Sequence, residues 1–251
     1  MPEAGVDLLR EIEQVAFRAW VPFETEEYDG WLLRYAGGFS RRSNSVYPEA
    51  ASTLPLGEKL EYFRDWFAAR GLGLVVRQTP ASEAGIDARL EELGFTLECP
   101  TDVMVAPLDR SFPMDGVAIT DAPDREWLEA AAAMIPVAPH LRSVWERILA
   151  GVEAEPGFAT MRDDGRVAAV GLGAVDGPWL GLFEIMVAPD HRRRGLGRRL
   201  TEALLEWGRE RGAIRSYLQV VADNASALAL YGGLGFRRAY TYWYRRAPSG
   251  S

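Results

Sequence analysis

Cysteine is almost missing from this chain of 251 residues: Cys99 stands alone, which excludes an internal disulfide. No base neighbours it in sequence to make it a nucleophile, so it reads as packing. Long apolar runs are missing too; none approaches the roughly 20 residues that cross a bilayer. The segment Met1 to Asp7 is acidic and lacks the basic-then-apolar start of an export signal, so a cytoplasmic location is the expectation. Positive charge is the minority sign: 28 Lys and Arg against 36 Asp and Glu leave a net charge of −8. That balance argues against nucleic acid as a partner, and nothing argues for a membrane. Neither a P-loop nor a dinucleotide fingerprint is found, the latter needing Gly-x-Gly-x-x-Gly and an acidic residue about 20 positions on. What remains, 48% hydrophobic and 25% charged residues, suits a globular protein with one large core or two modest ones.

The basic residues that are present cluster. Val187-Ala188-Pro189-Asp190-His191-Arg192-Arg193-Arg194-Gly195-Leu196-Gly197-Arg198-Arg199-Leu200 runs from a strand, through a basic turn with two glycines, into a helix. Upstream, Trp179 to Val187 is apolar and β-inclined; downstream, Leu200, Ala203, Leu204 and Trp207 recur at helical spacing. The turn therefore opens a helix whose first amides lack intrahelical partners and whose dipole is positive, an arrangement that attracts phosphate. Gly195 and Gly197 would let an anion reach the backbone without a Cβ in the way. An arginine run is also, by itself, an ordinary solvated helix end.

A second segment follows: Leu218-Gln219-Val220-Val221-Ala222-Asp223-Asn224, then Ala225 to Leu230, Tyr231, and Gly235-Phe236. It reads as strand, turn, helix, strand. Singly, Asn224 is a helix cap and Tyr231 a core residue. Jointly and in this order, Arg-x-x-Gly-x-Gly at Arg192 to Gly197 and this Leu-x-Val, Asn, Leu-Tyr, Gly-Phe series resemble the acyl-coenzyme A signature of the GNAT N-acetyltransferase superfamily. The resemblance implies acetyl-CoA as cosubstrate, no metal, and an amine acceptor, whether small molecule or peptide. It implies that Arg192, Arg193, Arg194, Gly195, Leu196, Gly197 and Arg198 cradle the pyrophosphate. It also implies that the main chain of Met186, Val187 and Ala188 holds the pantetheine arm, that Asn224 hydrogen-bonds near that arm, and that Tyr231 sits beside the sulfur. His191, inside the motif, is expected to face solvent, and His140, after Pro139 at a helix start, carries no chemistry.

One constant offset of 141 residues separates Trp66 from Trp207, Gly71 from Gly212, and Gly94-Phe95 from Gly235-Phe236. Such a repeat predicts an α/β (α+β mixed sheet) protein of two tandem GNAT acyl-CoA N-acyltransferase folds, similar in architecture to mycothiol synthase. The expected division is 1–108, a linker 109–115, and a catalytic domain 116–247. In the same frame Ala51 to Leu56 stand where the second half has Arg192 to Gly197, Glu83 matches Asn224, and Leu90 matches Tyr231. The first copy is accordingly expected to be degenerate. Its polar segment Gly37 to Val46 is either a solvated strand end or the lining of an acceptor cleft between the copies.

Periodicity and turn residues predict helices at Val6 to Trp20, Glu58 to Arg70, Ala84 to Leu93, Arg125 to Met134, Leu141 to Ala150, Leu196 to Arg211 and Ala225 to Leu234. Strands are predicted at Trp31 to Tyr35, Ser40 to Tyr47, Leu72 to Gln78, Leu97 to Val105, Val117 to Thr120, Phe158 to Arg162, Arg166 to Val175, Leu180 to Val187, Ile214 to Val221 and Phe236 to Arg245. Asp163-Asp164-Gly165 reads as a hairpin turn.

Acetylating an amine sets chemical requirements. An amine of pKa about 10 has roughly one molecule in a thousand unprotonated at neutral pH, so a base must take a proton. A general acid must then serve the leaving thiolate. The resemblance assigns the acid to Tyr231. Glu184, three residues before Val187, is the candidate base; strict alternation would place Glu184 and Met186 on one strand face and Phe183, Ile185 and Val187 on the other. Glu184 is otherwise a charge held in a structural hydrogen bond. Trp179, Tyr240, Tyr242, Trp243 and Tyr244 either line an acceptor cleft or pack a core. Two other classes compete with the enzyme: a non-catalytic acyl-CoA sensor or scaffold, and a nucleic-acid module built on the arginine run. A monomer or homodimer is expected.

Overall fold

The computed structural model describes residues 3–135 and 137–248; Met1 and Pro2 of the acidic start lie outside them. Leu9, Ile12, Val15, Ala16 and Ala19 recur three and four residues apart, giving helix α1 (Glu3–Ala19) one buried stripe. Strands β1 (Glu24–Tyr28) and β2 (Trp31–Tyr35) form a hairpin, and β3 (Ser45–Pro48) pairs antiparallel with β2. Helix α2 (Leu56–Ala68) crosses to β4 (Val75–Gln78), parallel to β3, and α3 (Ile86–Glu92) leads to β5 (Thr96–Pro107). The second half supplies β6 (Val117–Thr120), α4 (Arg125–Met134), α5 (Arg142–Ala150), β7 (Glu155–Asp163), β8 (Arg166–Asp176) and β9 (Trp179–Val187). It ends with α6 (Leu196–Glu210), β10 (Arg215–Val221), α7 (Ala225–Gly233) and β11 (Arg237–Arg246). Among the described residues no helix is long and apolar enough to cross a membrane.

Two expectations need correction. Ser40 to Tyr47 is not one strand: Arg41–Ser43 form a 3-10 turn before β3. The cause is Asn44, whose Oδ1 accepts from the amides of Ala36 (2.9 Å) and Gly38 (3.0 Å) while its Nδ2 donates to Ser40 O (2.7 Å). Those bonds curl the loop on itself. Strand β1, Glu-Thr-Glu-Glu-Tyr, was not anticipated because its three carboxylates conceal an edge strand, where charge blunts further pairing.

Among the described residues all eleven strands join one mixed sheet, in the order β1-β2-β3-β4-β11-β5-β10-β9-β8-β7-β6. Elements α2, β4, α3 and β5 recur as α6, β10, α7 and β11 at the spacing of the repeat. The last strands are exchanged between halves: β11 pairs with β4, β5 pairs with β10, and β5 and β11 pair with each other at the centre. Residues 109–115 run from β5 to β6, so the link leaves the middle of the sheet for its far edge.

Three cores follow. Helices α1, α4 and α5 cover one face with Ile12, Trp20, Trp127, Trp145 and Phe183; α6 and α7 bury Leu200, Leu204 and Trp207; α2 and α3 bury Trp31, Phe63 and Leu90. Each such large apolar side chain contributes about 1.5–3 kcal/mol relative to exposure. Although α1 belongs by sequence to the first half, it packs over β8, β9 and β11. Helix α6 is seated closely because Gly157 lies beneath Trp207, where a Cβ would come within 2.6 Å of the ring.

The start of α2 differs in kind from that of α6. Its loop amides already hold an anion, the chain's own Asp29 in the β1–β2 turn. Asp29 carboxylate oxygens accept from Thr53 N (3.0 Å), Leu54 N (2.9 Å), Ser52 Oγ (2.7 Å) and Thr53 Oγ1 (2.6 Å). In the repeat, Thr53 and Leu54 correspond to Arg194 and Gly195. Lys59, the chain's only lysine, is fully buried beneath this carboxylate, 3.3 Å from it and 4.0 Å from the Trp31 ring centroid. The hydrogen bond from Thr53 and the others hold the Asp29 carboxyl far below the usual carboxylate range.

Two outcomes follow. Asp29→Ala, which strands two amides and a buried ammonium, should lower the melting temperature at pH 7. Because the folded-state pKa is depressed, that contribution is present above the ordinary carboxylate pKa and fades on acidification. The gap between wild type and variant should therefore narrow in melts taken below pH 4, about where an unfolded Asp titrates. Separately, a fragment beginning at residue 109 lacks β5 and exposes the edges of β10 and β11. It should show no cooperative melt by circular dichroism until the 1–108 fragment is co-expressed with it.

Candidate active site

Strands β9 and β10 are parallel and pair from Trp179 with Arg215 to Leu182 with Leu218, after which they part. On its other edge β9 pairs with β8: Leu172 opposes Phe183 and Val170 opposes Met186, so Glu184 and Ile185 together face Gly171. This is a β-bulge, with Glu184 at φ +51°. Gly171 leaves room for it, since a Cβ there would lie 2.7 Å from Ile185 Cδ1. The bulge corrects the expected alternation. Phe183 and Met186 share the α1 side of the sheet, and Ile185 and Val187 the α6 side. One inserted residue has shifted the phase of the pleat.

A cleft of about 270 Å³ opens where the strands diverge, lined among others by Arg42, Phe183, Glu184, Gln219, Asn224 and Tyr231. Glu184 is half-buried there. Removal from water raises its carboxyl pKa to about 7, against the opposing pull of the Arg42 guanidinium. The Tyr231 ring is buried, edge-on to Phe236 at 5.8 Å, and burial pushes its phenol up to about 12. It is therefore neutral over the physiological range. Asn224 caps α7, its Oδ1 accepting from Ala227 N (3.1 Å) and Ser226 Oγ (3.0 Å), which leaves the amide nitrogen as its donor to the cleft.

The three residues expected to hold an arm by their main chain divide. Ala188 N donates to Ala168 O at 2.9 Å, and by the alternation of an antiparallel ladder Met186 also faces β8. Val187 faces the gap, and its carbonyl accepts from Arg192 Nε at 3.3 Å.

Beyond Val187, Pro189–His191 form a 3-10 turn and α6 begins at Leu196. Arg193 at φ +60° and Gly195 at φ +81° curl the connecting chain in the manner of a backbone nest for anions. Gly195 is the N-cap and offers no side chain to the first-turn amides, which leaves them for a ligand. Of the arginines, Arg194 pairs with Asp163 (2.8 Å), Arg198 with Glu202 (3.0 Å), and Arg199 donates to Asp115 O (3.3 Å). Arg193 is exposed at the loop. Leu196 is buried against the α6 core, anchoring the helix start. His191 does not face solvent freely: its ring is largely covered, with Nδ1 2.9 Å from Asp190 and Nε2 3.5 Å from Asp163.

Sequence reasoning left Gly37 to Val46 undecided between solvated strand end and cleft lining. Arg42, presented by the Asn44-staked turn, lines the second half's cleft. The aromatic residues of the closing strands pack instead. Tyr240, Tyr242 and Tyr244 are buried, Tyr240 donating to Glu13 (2.5 Å) and Tyr242 to Gln219 Oε1 (2.9 Å). Trp179 Nε1 donates to Glu11 (2.8 Å) and Trp243 Nε1 to Asp87 (2.7 Å). The first half has its own divergence of β3 from β4, a cleft of about 250 Å³ lined by Glu13, Phe17, Tyr47, Glu49 and Arg77. Across it Arg77 and Glu13 form an ion pair, and no basic loop adjoins it.

Comparison with known proteins now gives this geometry a family. The model of a family described as "Probable histone acetyltransferase Rv0428c C-terminal" matches residues 7–245. An N-acetyltransferase of Bacillus subtilis, YobR, is 27% identical over 246 residues, spanning 96% of this chain and 99% of the relative. The probable histone acetyltransferase Rv0428c of Mycobacterium tuberculosis is 30% identical over 247 residues, 96% of this chain and 74% of that one. A GCN5-related N-acetyltransferase structure from Kribbella flavida superposes over 100% of this chain and 97% of that one, with a TM-score of 0.69 at 19% identity. The chain belongs to the Rv0428c C-terminal acetyltransferase family and is a GNAT N-acetyltransferase, an acyltransferase enzyme.

Proposed function

We propose that the second half alone binds acetyl-CoA and transfers its acetyl group to the primary amine of a small molecule or peptide, by direct attack within a ternary complex. One observation carries this reading. The gap between β9 and β10 holds a carboxyl group whose burial raises its pKa to about 7, and the same strand leads through a short basic loop to a helix start with open amides.

The residues fit the coenzyme. A Cβ on Gly197 would meet only Val187 Cγ2 at 3.4 Å and Leu230 Cδ2 at 3.7 Å, ordinary contacts. Protein packing therefore does not demand glycine there; close approach of a phosphate to the backbone supplies a reason. At the matching loop of the first half the Asp29 carboxylate holds the amides, which supports reading that copy as degenerate.

Glu184 takes a proton from the acceptor ammonium, directly or through water, and the freed nitrogen attacks the thioester carbonyl carbon. The C–N bond forms, the C–S bond breaks, and the sulfur leaves as a thiolate. Tyr231, neutral in the resting site, donates its proton to that sulfur and recovers one from the amine nitrogen while Glu184 returns its proton to solvent, so the products are an amide and a thiol. Holding both substrates together supplies much of the acceleration. A sensor that binds without turnover needs no base, so the raised carboxyl of Glu184 favours the enzyme.

Glu184→Gln should lower kcat by about 10²–10⁴-fold with acetyl-CoA affinity unchanged by calorimetry. In the wild type kcat/KM should rise with pH through about 7 as Glu184 loses its proton, and the variant should lose that limb. The same raised pKa makes ionised Glu184 a burden on folding above pH 4.5, about its unfolded value. Glu184→Gln should consequently melt higher than wild type at pH 8 and equally at pH 4. Tyr231→Phe should reduce turnover far more than coenzyme affinity; equal turnover in a thiol-release assay would reject its role as acid.

A further inference from the structure

Arg42 is the first half's contribution to the second half's cleft, and it is built in rather than draped there. Its backbone sits in the 3-10 turn staked by Asn44, and its carbonyl accepts from the Tyr47 hydroxyl at 2.6 Å. Its guanidinium lies over the Trp20 ring at 5.0 Å and the Phe183 ring at 5.5 Å. Neighbouring Arg41 is paired with Glu98 at 2.9 Å. Arg42, by contrast, forms no ion pair within 4.0 Å among the described residues, Glu184 included, although both line the same cleft.

A guanidinium held beside aromatic rings keeps its N–H donors free for other partners, in a planar fork that matches a carboxylate. The cleft thus offers one carboxyl and one guanidinium, spaced too far apart to form an ion pair. A plain alkylammonium reaching Glu184 would meet an uncompensated cation. An amine that carries its own carboxylate answers both groups at once.

We propose that the acceptor is a zwitterionic amine of the α-amino-acid class, its nitrogen directed to Glu184 and its carboxylate bound by Arg42. This inference rests on the acetyl-transfer reading of the site and names what that site selects. Arg42 is thereby a specificity residue lent by the copy that has lost its own loop. The acetylated product is a monoanion with no ammonium, which leaves Glu184 without a partner and favours release.

The test uses the full chain, acetyl-CoA, and three matched panels: the common amino acids, their carboxamides, and the corresponding decarboxylated amines. Thiol release is followed, and acetyl-CoA binding is measured separately by calorimetry. At least one amino acid should be acetylated with kcat/KM tenfold or more above its carboxamide and its decarboxylated amine. Arg42→Gln should erase that preference through KM while leaving acetyl-CoA affinity unchanged, and Arg42→Lys should restore part of it. Carboxamides or plain amines turned over as well as or better than every amino acid would overturn the proposal and leave acetyl transfer standing, as would a panel in which no amino acid reacts. A uniform fall in kcat across all three panels in Arg42→Gln, with the preference among the panels retained, would also overturn it, showing that Arg42 only balances the charge of Glu184. Failure of the wild type to bind acetyl-CoA would remove the underlying reading instead.

Discussion

A strand keeps two neighbours only while its pleat stays in phase with both, and β9 keeps phase with β8 by surrendering β10. The extra residue at Glu184 is absorbed on the β8 side, where Gly171 leaves room for the Ile185 side chain. On the β10 side pairing ends at Leu182 and Leu218, and the divergence becomes the cleft. The proposed chemistry depends on that local failure of pairing. It turns the Val187 main chain to an open edge, and it brings a carboxyl into surroundings that hold its proton until neutral pH. It also aims the end of β9 at the loop that begins α6.

The two halves share a succession of elements but differ in what meets the amides of the matching loop. Both open a helix after a strand, and both present loop amides there. In the first half Asp29 fills that role from a turn 24 residues earlier than Thr53, and the only lysine is buried beneath it as counter-charge. There the chain supplies its own anion, and the Thr53 and Leu54 amides are satisfied by it. What the first half lends in exchange is support. Its last strand lies between β10 and β11, its first helix covers β8, β9 and β11, and Arg42 enters the cleft. The exchange of β5 and β11 makes this interdependence unavoidable, because neither half can complete its part of the sheet alone.

Much of the fold was legible in the order of the residues. The 141-residue offset carried through to matching helices and strands, and the Asp163 to Gly165 hairpin turn joins β7 to β8 as read. Local propensity and apolar period decide such elements, and both are written along the chain. The misreadings have two causes, a side-chain bond to nearby backbone and a placement in the sheet set by residues distant in sequence. Asn44 curled a segment that reads as strand, and three carboxylates hid the edge strand β1. The aromatic residues of β11 gave no sign of choosing core over cleft, since that choice belongs to what packs against them.

The loop from Arg192 to Gly197, the Asn224 and Tyr231 series and the repeat itself were determined by the sequence alone, because each is a local pattern in which spacing sets the geometry. Tertiary structure decided that Glu184 occupies a bulge with a raised carboxyl pKa, that Arg42 faces it from the other copy, and that Asp29 closes the counterpart loop. Those outcomes depend on desolvation, on register between neighbouring strands and on charges brought together from far along the chain, and none of these quantities exists until the sheet has formed.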